Sequence, residues 1–369
     1  MLTKTFDAGR WLTAPIAGLI TGVLSLLALT AAPAQAAAKP PIEVRVVIVT
    51  TWEVERGDTD IMGELHDWRV KWPMATKIPF PIGARALQYD PKTHVLAILT
   101  GEATARASAS IMALGLDPRF DLSHAYWIVA GTAGVDPKVA SAGSAAWSRW
   151  VVDGDLAQEL DARDIPADWS TGIVPYGRTK PFQQPAPKGD TDDGHVVYTL
   201  NRGLVDWAYG QTKDLKLPDN PSMAKLRSAY AGPGAAPPFV LEGEGLMSAR
   251  FWYGDHLTAW AEQWVPYYTG GQGVFAMSAE EATGILQART FLSNDHRARL
   301  DRVLVLRAGS DYAVAPPGVS GADFLAKEAG GGLPANREAL ENLYLVASPV
   351  ARTLAADWKH TKGVTPGGN

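Results

Sequence analysis

The stretch Val303-Leu304-Val305-Leu306-Arg307-Ala308-Gly309-Ser310-Asp311 decides the fold class. Its apolar part, Val303 to Leu306, lacks the period-two alternation of a half-exposed strand, so it reads as a strand covered on both faces. α/β sheets of that kind bind ligands beyond the carboxyl ends of their strands, where Gly309, Ser310 and Asp311 are expected. Pro316 and Pro317 forbid regular structure soon after, which puts Asp311 on a loop leaving the sheet. Two uses of that carboxylate compete at this point: the capping of a turn or helix, and chemistry at a site.

Other runs upstream repeat the pattern. Val44 to Val49 is β-branched and of strand length, and it leads into Trp52-Glu53-Val54-Glu55. Glu53 and Glu55 there are either site carboxylates or charges favouring a helix N-terminus. His94 to Leu99 reads as a second strand, turned by Thr100-Gly101-Glu102 into an alanine-rich helix from Ala103 to Leu114. Free backbone N–H groups at such a start suit a polar ligand, which makes Gly101 a candidate backbone contact. Ala125 to Ala130 is a strand closed by Gly131-Thr132-Ala133-Gly134, where the glycines allow either close approach to a ligand or an ordinary tight turn. Ala142 to Asp153 alternates enough for another strand.

From about residue 157 to 245 the chain is rich in Pro, Gly and Asp and reads as a long surface excursion. Order returns with a helical segment over Leu257 to Trp264, a short strand over Val274 to Met277, and a helix opened by Glu280-Glu281. Gly330 to Gly332 marks a break, and Glu338 to Trp358 a terminal helix with Leu340, Leu343, Tyr344, Ala347, Val350 and Leu354 on one face and a kink at Pro349. His66, Asp67 and Trp68 lie in an irregular stretch, 57–91, with no assignable role.

Composition bounds the rest. Among the 369 residues, Lys4 and Arg10 precede an apolar run from Ile16 to Ala32 and the small triplets Ala34-Gln35-Ala36 and Ala36-Ala37-Ala38, so residues 1–38 read as a cleavable export signal. A retained anchor is the alternative. Cleavage leaves one domain, residues 39–369, in the periplasm or secreted. With no cysteine, neither disulfides nor thiolate-held metals stabilise it, and the seven scattered histidines make no case for a metal site. A net charge of −5 without Lys/Arg blocks argues against a nucleic-acid polymer as partner.

In this order the motifs resemble the nucleoside phosphorylase and nucleosidase superfamily, and nearest of all the purine nucleoside permease family. The resemblance rests on WEVE at 52–55, TGEATARASASIMALGLDPRFDL at 100–122, AGTAGVDPKVASAGSAAW at 130–147, EEATG at 280–284 and LRAGSDYAVAPPG at 306–318. It implies a three-layer α/β fold with a central mixed sheet flanked by helices. It also implies that Asp311 protonates a purine leaving group at N7, that Glu281 accepts from the ribose 2′ and 3′ hydroxyls, and that Glu55 orients an attacking water. Thr132 falls on the ribose side, Ser310 and one of Phe251, Trp252 and Tyr253 on the base side with Asp255 or His256 nearby, and Gly131 at the backbone.

The chain departs from this pattern in two places. The phosphate loop that phosphorolytic members carry after the first strand is absent, although Arg56 follows Glu55 directly, and this favours water over phosphate as the nucleophile. Permease members commonly show Met-Glu-Asp where this chain has Glu280-Glu281-Ala282, so a charge replaces the methionine under the sugar. The implied activity is hydrolysis of purine nucleosides without a cofactor. Its rivals are nucleoside capture for a separate membrane carrier, and phosphorolysis. Members of the superfamily are commonly oligomeric, which implies a homodimer.

Overall fold

The structure, a computed structural model, describes residues 39–53, 62–191, 194–331 and 335–368. The proposed signal and Glu55 lie outside the described residues. Pro41–Asn369 forms one compact unit. Among the described residues no helix is long and apolar enough to cross a membrane.

Five strands carry the site: β1 (Val46–Thr50), β2 (Val95–Leu99), β3 (Tyr126–Val135), β4 (Phe275–Ala279) and β5 (Val303–Tyr312). Every residue of β1, β2 and β5 is buried, as expected of parallel strands covered on both faces. They belong to a mixed sheet of twelve strands. The first half of β3 lies between β1 and β5, parallel to both; its far end pairs antiparallel with β4 through Val135 and Gly134. The sheet therefore branches at Gly131 to Gly134.

Two expectations are corrected here. Gly131-Thr132-Ala133-Gly134 is not a turn, because β3 runs through all four residues. Asp311 is not on a loop, because β5 continues to Tyr312 with an irregularity in register between Gly309 and Asp311. A bulge of this kind re-aims side chains without ending the strand. The strand expected over Ala142 to Asp153 is two, Ala145–Trp147 and Trp150–Asp153. The excursion at 157–245 is less irregular than its composition suggests, since it holds helices at Arg202–Thr212 and Pro221–Arg227, capped by Asn201 and Asn220. Gly330 and Gly331 end a helix that starts at Gly321, while Gly332 lies outside the described residues.

Three helices position the site: α1 (Thr104–Gly115), α2 (Ala282–Asn294) and α3 (Asn336–Ala356). Helix α3 buries Leu340, Leu343, Ala347, Val350 and Leu354, the face read from periodicity apart from partly exposed Tyr344, together with Val346, and contains Pro349. Helices α1 and α2 touch through glycine: a Cβ on Gly284 would sit 2.3 Å from the Thr104 carbonyl oxygen. Since that neighbour is backbone, Gly284→Ala should destabilise the protein despite the roughly 1 kcal/mol gain in helix propensity. Overpacking costs about 1–3 kcal/mol, so a lowered thermal midpoint is expected.

Glu244 accepts from the Arg149 and Trp150 N–H groups at 2.9 and 2.6 Å, and burial pushes its pKa up to about 7. The folded state then holds a proton that the unfolded state has released. Stability from this group is present below the unfolded carboxyl pKa of about 4.3 and is lost as pH rises toward 7. Melting between pH 4 and 8 should show this decline, and Glu244→Gln should flatten it.

Candidate active site

The carboxyl ends of β1, β3, β4 and β5 converge on a cavity of about 310 Å³, lined by Thr51, Trp52, Thr132, Ser278, Glu281 and Ser310 among others. One buried ion pair organises it. Arg307, on β5, donates from Nη2 to Glu281 Oε2 at 3.0 Å and from Nη1 to the Thr132 carbonyl at 3.2 Å. Arg307 and Glu281 are 1% and 5% exposed. A cation so buried needs a fixed partner, and Glu281, at the residue before α2, provides it. The arginine reaches that partner by crossing Gly131, where a Cβ would lie 2.3 Å from Nη1. Gly131 is thus explained by a side chain of the protein, and it does not line the cavity.

Glu64 is the second organiser, and nothing in its local sequence marked it. Its Oε2 accepts from Thr51 N, Thr51 Oγ1 and Trp52 N at 2.6, 3.0 and 3.2 Å. Its Oε1 accepts from Thr132 N at 2.7 Å and Thr132 Oγ1 at 3.3 Å. A carboxylate has about four acceptor positions, so Glu64 is filled by tying the ends of β1 and β3 together. Burial, and then Glu281, raise its pKa. Glu280 also lines the cavity, and burial with the nearby Glu281 and Glu102 carboxylates pushes its pKa up to about 7.

On the opposite wall, Ser310 Oγ donates to Asp311 Oδ1 at 3.0 Å. Both are buried, but Ser310 lines the cavity and Asp311 does not. Of the three expected aromatics only Phe251 lines it. Trp252 stacks on Phe275, with ring centroids 6.2 Å apart, and Tyr253 meets Phe324 edge-on at 5.2 Å. Both face a separate cavity of about 390 Å³ that shares Phe251. Asp255 and His256 are exposed at the start of a helix and line neither cavity. Gly101 lines a third, larger cavity of about 800 Å³ that meets the first at Thr51 and Glu102.

The structure therefore brings together Thr132, Glu281, Ser310 and Phe251, sets Asp311 directly behind Ser310, and leaves Gly101, Gly131, Trp252 and Tyr253 outside the central cavity. Sequence reasoning missed Glu64, Arg307, Glu102 and Asn336. Arg307 alone carried a signal, as a cation directly after the apolar run Val303 to Leu306. No group of three or more His, Cys, Asp or Glu suited to a metal occurs among the described residues.

Comparison with known proteins bears on the fold and the family. The fold is similar to that of a 5′-methylthioadenosine/S-adenosylhomocysteine nucleosidase from S. pneumoniae, at a TM-score of 0.51 and 14% identity over 85% of this chain and 99% of that one. The fold is thus nucleoside phosphorylase-like. In Schizosaccharomyces pombe, the protein named "Probable purine nucleoside permease" is 28% identical over 71% of this chain and 76% of its own length. The purine nucleoside permease of Candida albicans is 28% identical over 71% of this chain, which spans 64% of that relative's length. The model of the purine nucleoside permease family matches residues 43–365, and the chain belongs to that family.

Proposed function

We propose that the protein binds a purine nucleoside in the central cavity and hydrolyses its N-glycosidic bond to free base and ribose. The observation that carries this reading is the cavity's lining: Glu64, Glu102, Glu280 and Glu281 lie around it with the aromatic residues Trp52 and Phe251. Carboxylates suit a sugar that becomes cationic as the bond to the base breaks, and an aromatic wall suits the base. Glu281, held by Arg307 through Oε2, has Oε1 with which to accept from ribose hydroxyls.

In this reading a water attacks C1′ and gives its proton to Glu55. The C1′–N9 electron pair leaves with the purine, and Asp311 protonates the base at N7. Ribose and free base result, with the proton lost by Asp311 balanced by the one gained at Glu55. The chain acts after export, as a homodimer, and needs no cofactor. Hydrolysis in ¹⁸O-water tests the bond broken: the label is expected at C1′ of the released ribose, and unlabelled sugar would refute attack by water.

A second reading, nucleoside capture without turnover for a separate membrane carrier, is favoured by one observation: Ser310, and not Asp311, lines the cavity. Equilibrium binding without product formation would establish it.

A further inference from the structure

Two further cavities adjoin the central one. One shares Phe251, on the base side. The other, of about 800 Å³, shares Thr51 and Glu102 and also reaches Leu99 and Gly101 at the carboxyl end of β2. The strand order β2, β1, β3, β5 puts this second opening across the sheet from Ser310. It lies beside the sugar-side carboxylates, because Thr104, two residues after Glu102, donates from Oγ1 to the Glu280 carbonyl at 2.8 Å.

The central cavity and this larger one differ in sign. Among the described residues, the central cavity is lined by Glu64, Glu102, Glu280 and Glu281 and by no lysine or arginine. The larger one is lined by Arg69, Lys77, Arg85 and Arg106, against the two carboxylates Glu53 and Glu102. The four cations come from separate segments: a helix at His66–Lys71, a strand at Thr76–Ile78, the chain just before the strand Leu87–Asp90, and the first turn of α1. No single charged helix face accounts for them, and the chain as a whole carries a net charge of −5. Burial raises the pKa of Glu53, while the Leu65 N–H, Arg85 and Arg69 oppose that rise, so the two guanidinium groups act on one spot.

With the base at Ser310 and the ribose hydroxyls on Glu281, the 5′ carbon is the point from which the sugar can still extend, and the opening on the sugar side leads to these cations. Cations set around a roomy cavity suit a phosphate, whose oxygens accept from several donors at once. We propose that the larger cavity receives a phosphate carried at the 5′ position, so that the substrate class includes purine nucleoside 5′-monophosphates. This inference rests on the nucleoside reading of the central cavity. Attack of water at C1′ then breaks the C1′–N9 bond of adenosine 5′-monophosphate as it does that of adenosine, releasing adenine and ribose 5-phosphate with the phosphate ester untouched.

The test compares adenosine 5′-monophosphate with adenosine on the full chain, by equilibrium dissociation constants at low and high salt and, where turnover occurs, by kcat/KM. The wild type is expected to favour the monophosphate by about tenfold or more at low salt, the effect of a charge-assisted contact, and the margin should shrink as salt screens the cations. Arg69→Gln and Arg106→Gln together should bring the ratio close to one while adenosine binds as before. Arg163→Gln, which removes an exposed cation outside both cavities, should leave the ratio unchanged. Weakening of both ligands alike in the double variant would show a merely structural role for the arginines and overturn the inference. A third arm adds inorganic phosphate to adenosine: if it speeds turnover and yields ribose 1-phosphate, the cations hold a free phosphate and the 5′ assignment falls. Equal binding of the two ligands by the wild type, a preference for adenosine, or a preference for the monophosphate that survives in the double variant would overturn the inference while leaving the nucleoside reading intact. Failure of both ligands to bind would overturn the two together.

Discussion

Replacing Arg307 with methionine should destabilise the protein by about 3–5 kcal/mol, because it leaves Glu281 buried without the cation it was folded against. The two side chains are 3.0 Å apart and almost wholly inaccessible to solvent. Exchanging both, Glu281→Leu with Arg307→Met, should recover much of the loss, since apolar residues of similar volume fill such a site without the desolvation cost of charges. Chemical denaturation of the two single variants and the double variant would give the coupling between them. The double variant also separates fold from function: it should be nearly as stable as the wild type and yet bind nucleoside poorly, having lost the acceptor proposed for the ribose hydroxyls. If Arg307→Met is as stable as the wild type, the ion pair does not organise the site.

The second large effect is chemical. Asp311→Asn preserves shape and keeps an oxygen for the Ser310 hydroxyl, now 3.0 Å from the carboxylate, so the wall around the base should be maintained. On the proposed mechanism it removes the proton given to the leaving purine. A general acid contributes about 10²- to 10⁴-fold to rate, and kcat should fall by that factor while nucleoside affinity changes little. A variant that retains full turnover would move the acid elsewhere, with Glu280 the next candidate because its pKa, pushed up to about 7, keeps it substantially protonated near neutrality.

Much of the scaffold could be read from the chain because β1, β2 and the first half of β5 are apolar without alternation, a pattern that both-face burial imposes. The junctions could not. Gly131 reads as a turn signal, but its missing Cβ accommodates Arg307, a contact between strands 176 positions apart that no local pattern encodes. Asp311 was placed on a loop by Pro316 and Pro317, whereas the strand ends only at Tyr312, ahead of both prolines. Thr132, Glu281 and Ser310 were legible because each lies in one of the motifs that carry the family resemblance, at 130–147, 280–284 and 306–318. Glu64 and Asn336 were not, since their positions depend on the return of irregular chain against β1 and on the docking of a terminal helix beside Ser310. The three consecutive aromatics show the same limit: composition marked Phe251, Trp252 and Tyr253 together, and only packing against Phe275 and Phe324 separates the last two from the cavity.

The most direct measurement is product analysis by chromatography after incubating the full chain with adenosine and inosine, with and without phosphate. The account predicts free base and ribose in the absence of phosphate, formed about 10²- to 10⁴-fold more slowly by Asp311→Asn. Ribose 1-phosphate formed only when phosphate is present, or intact nucleoside recovered from a protein that binds it tightly, would contradict hydrolysis.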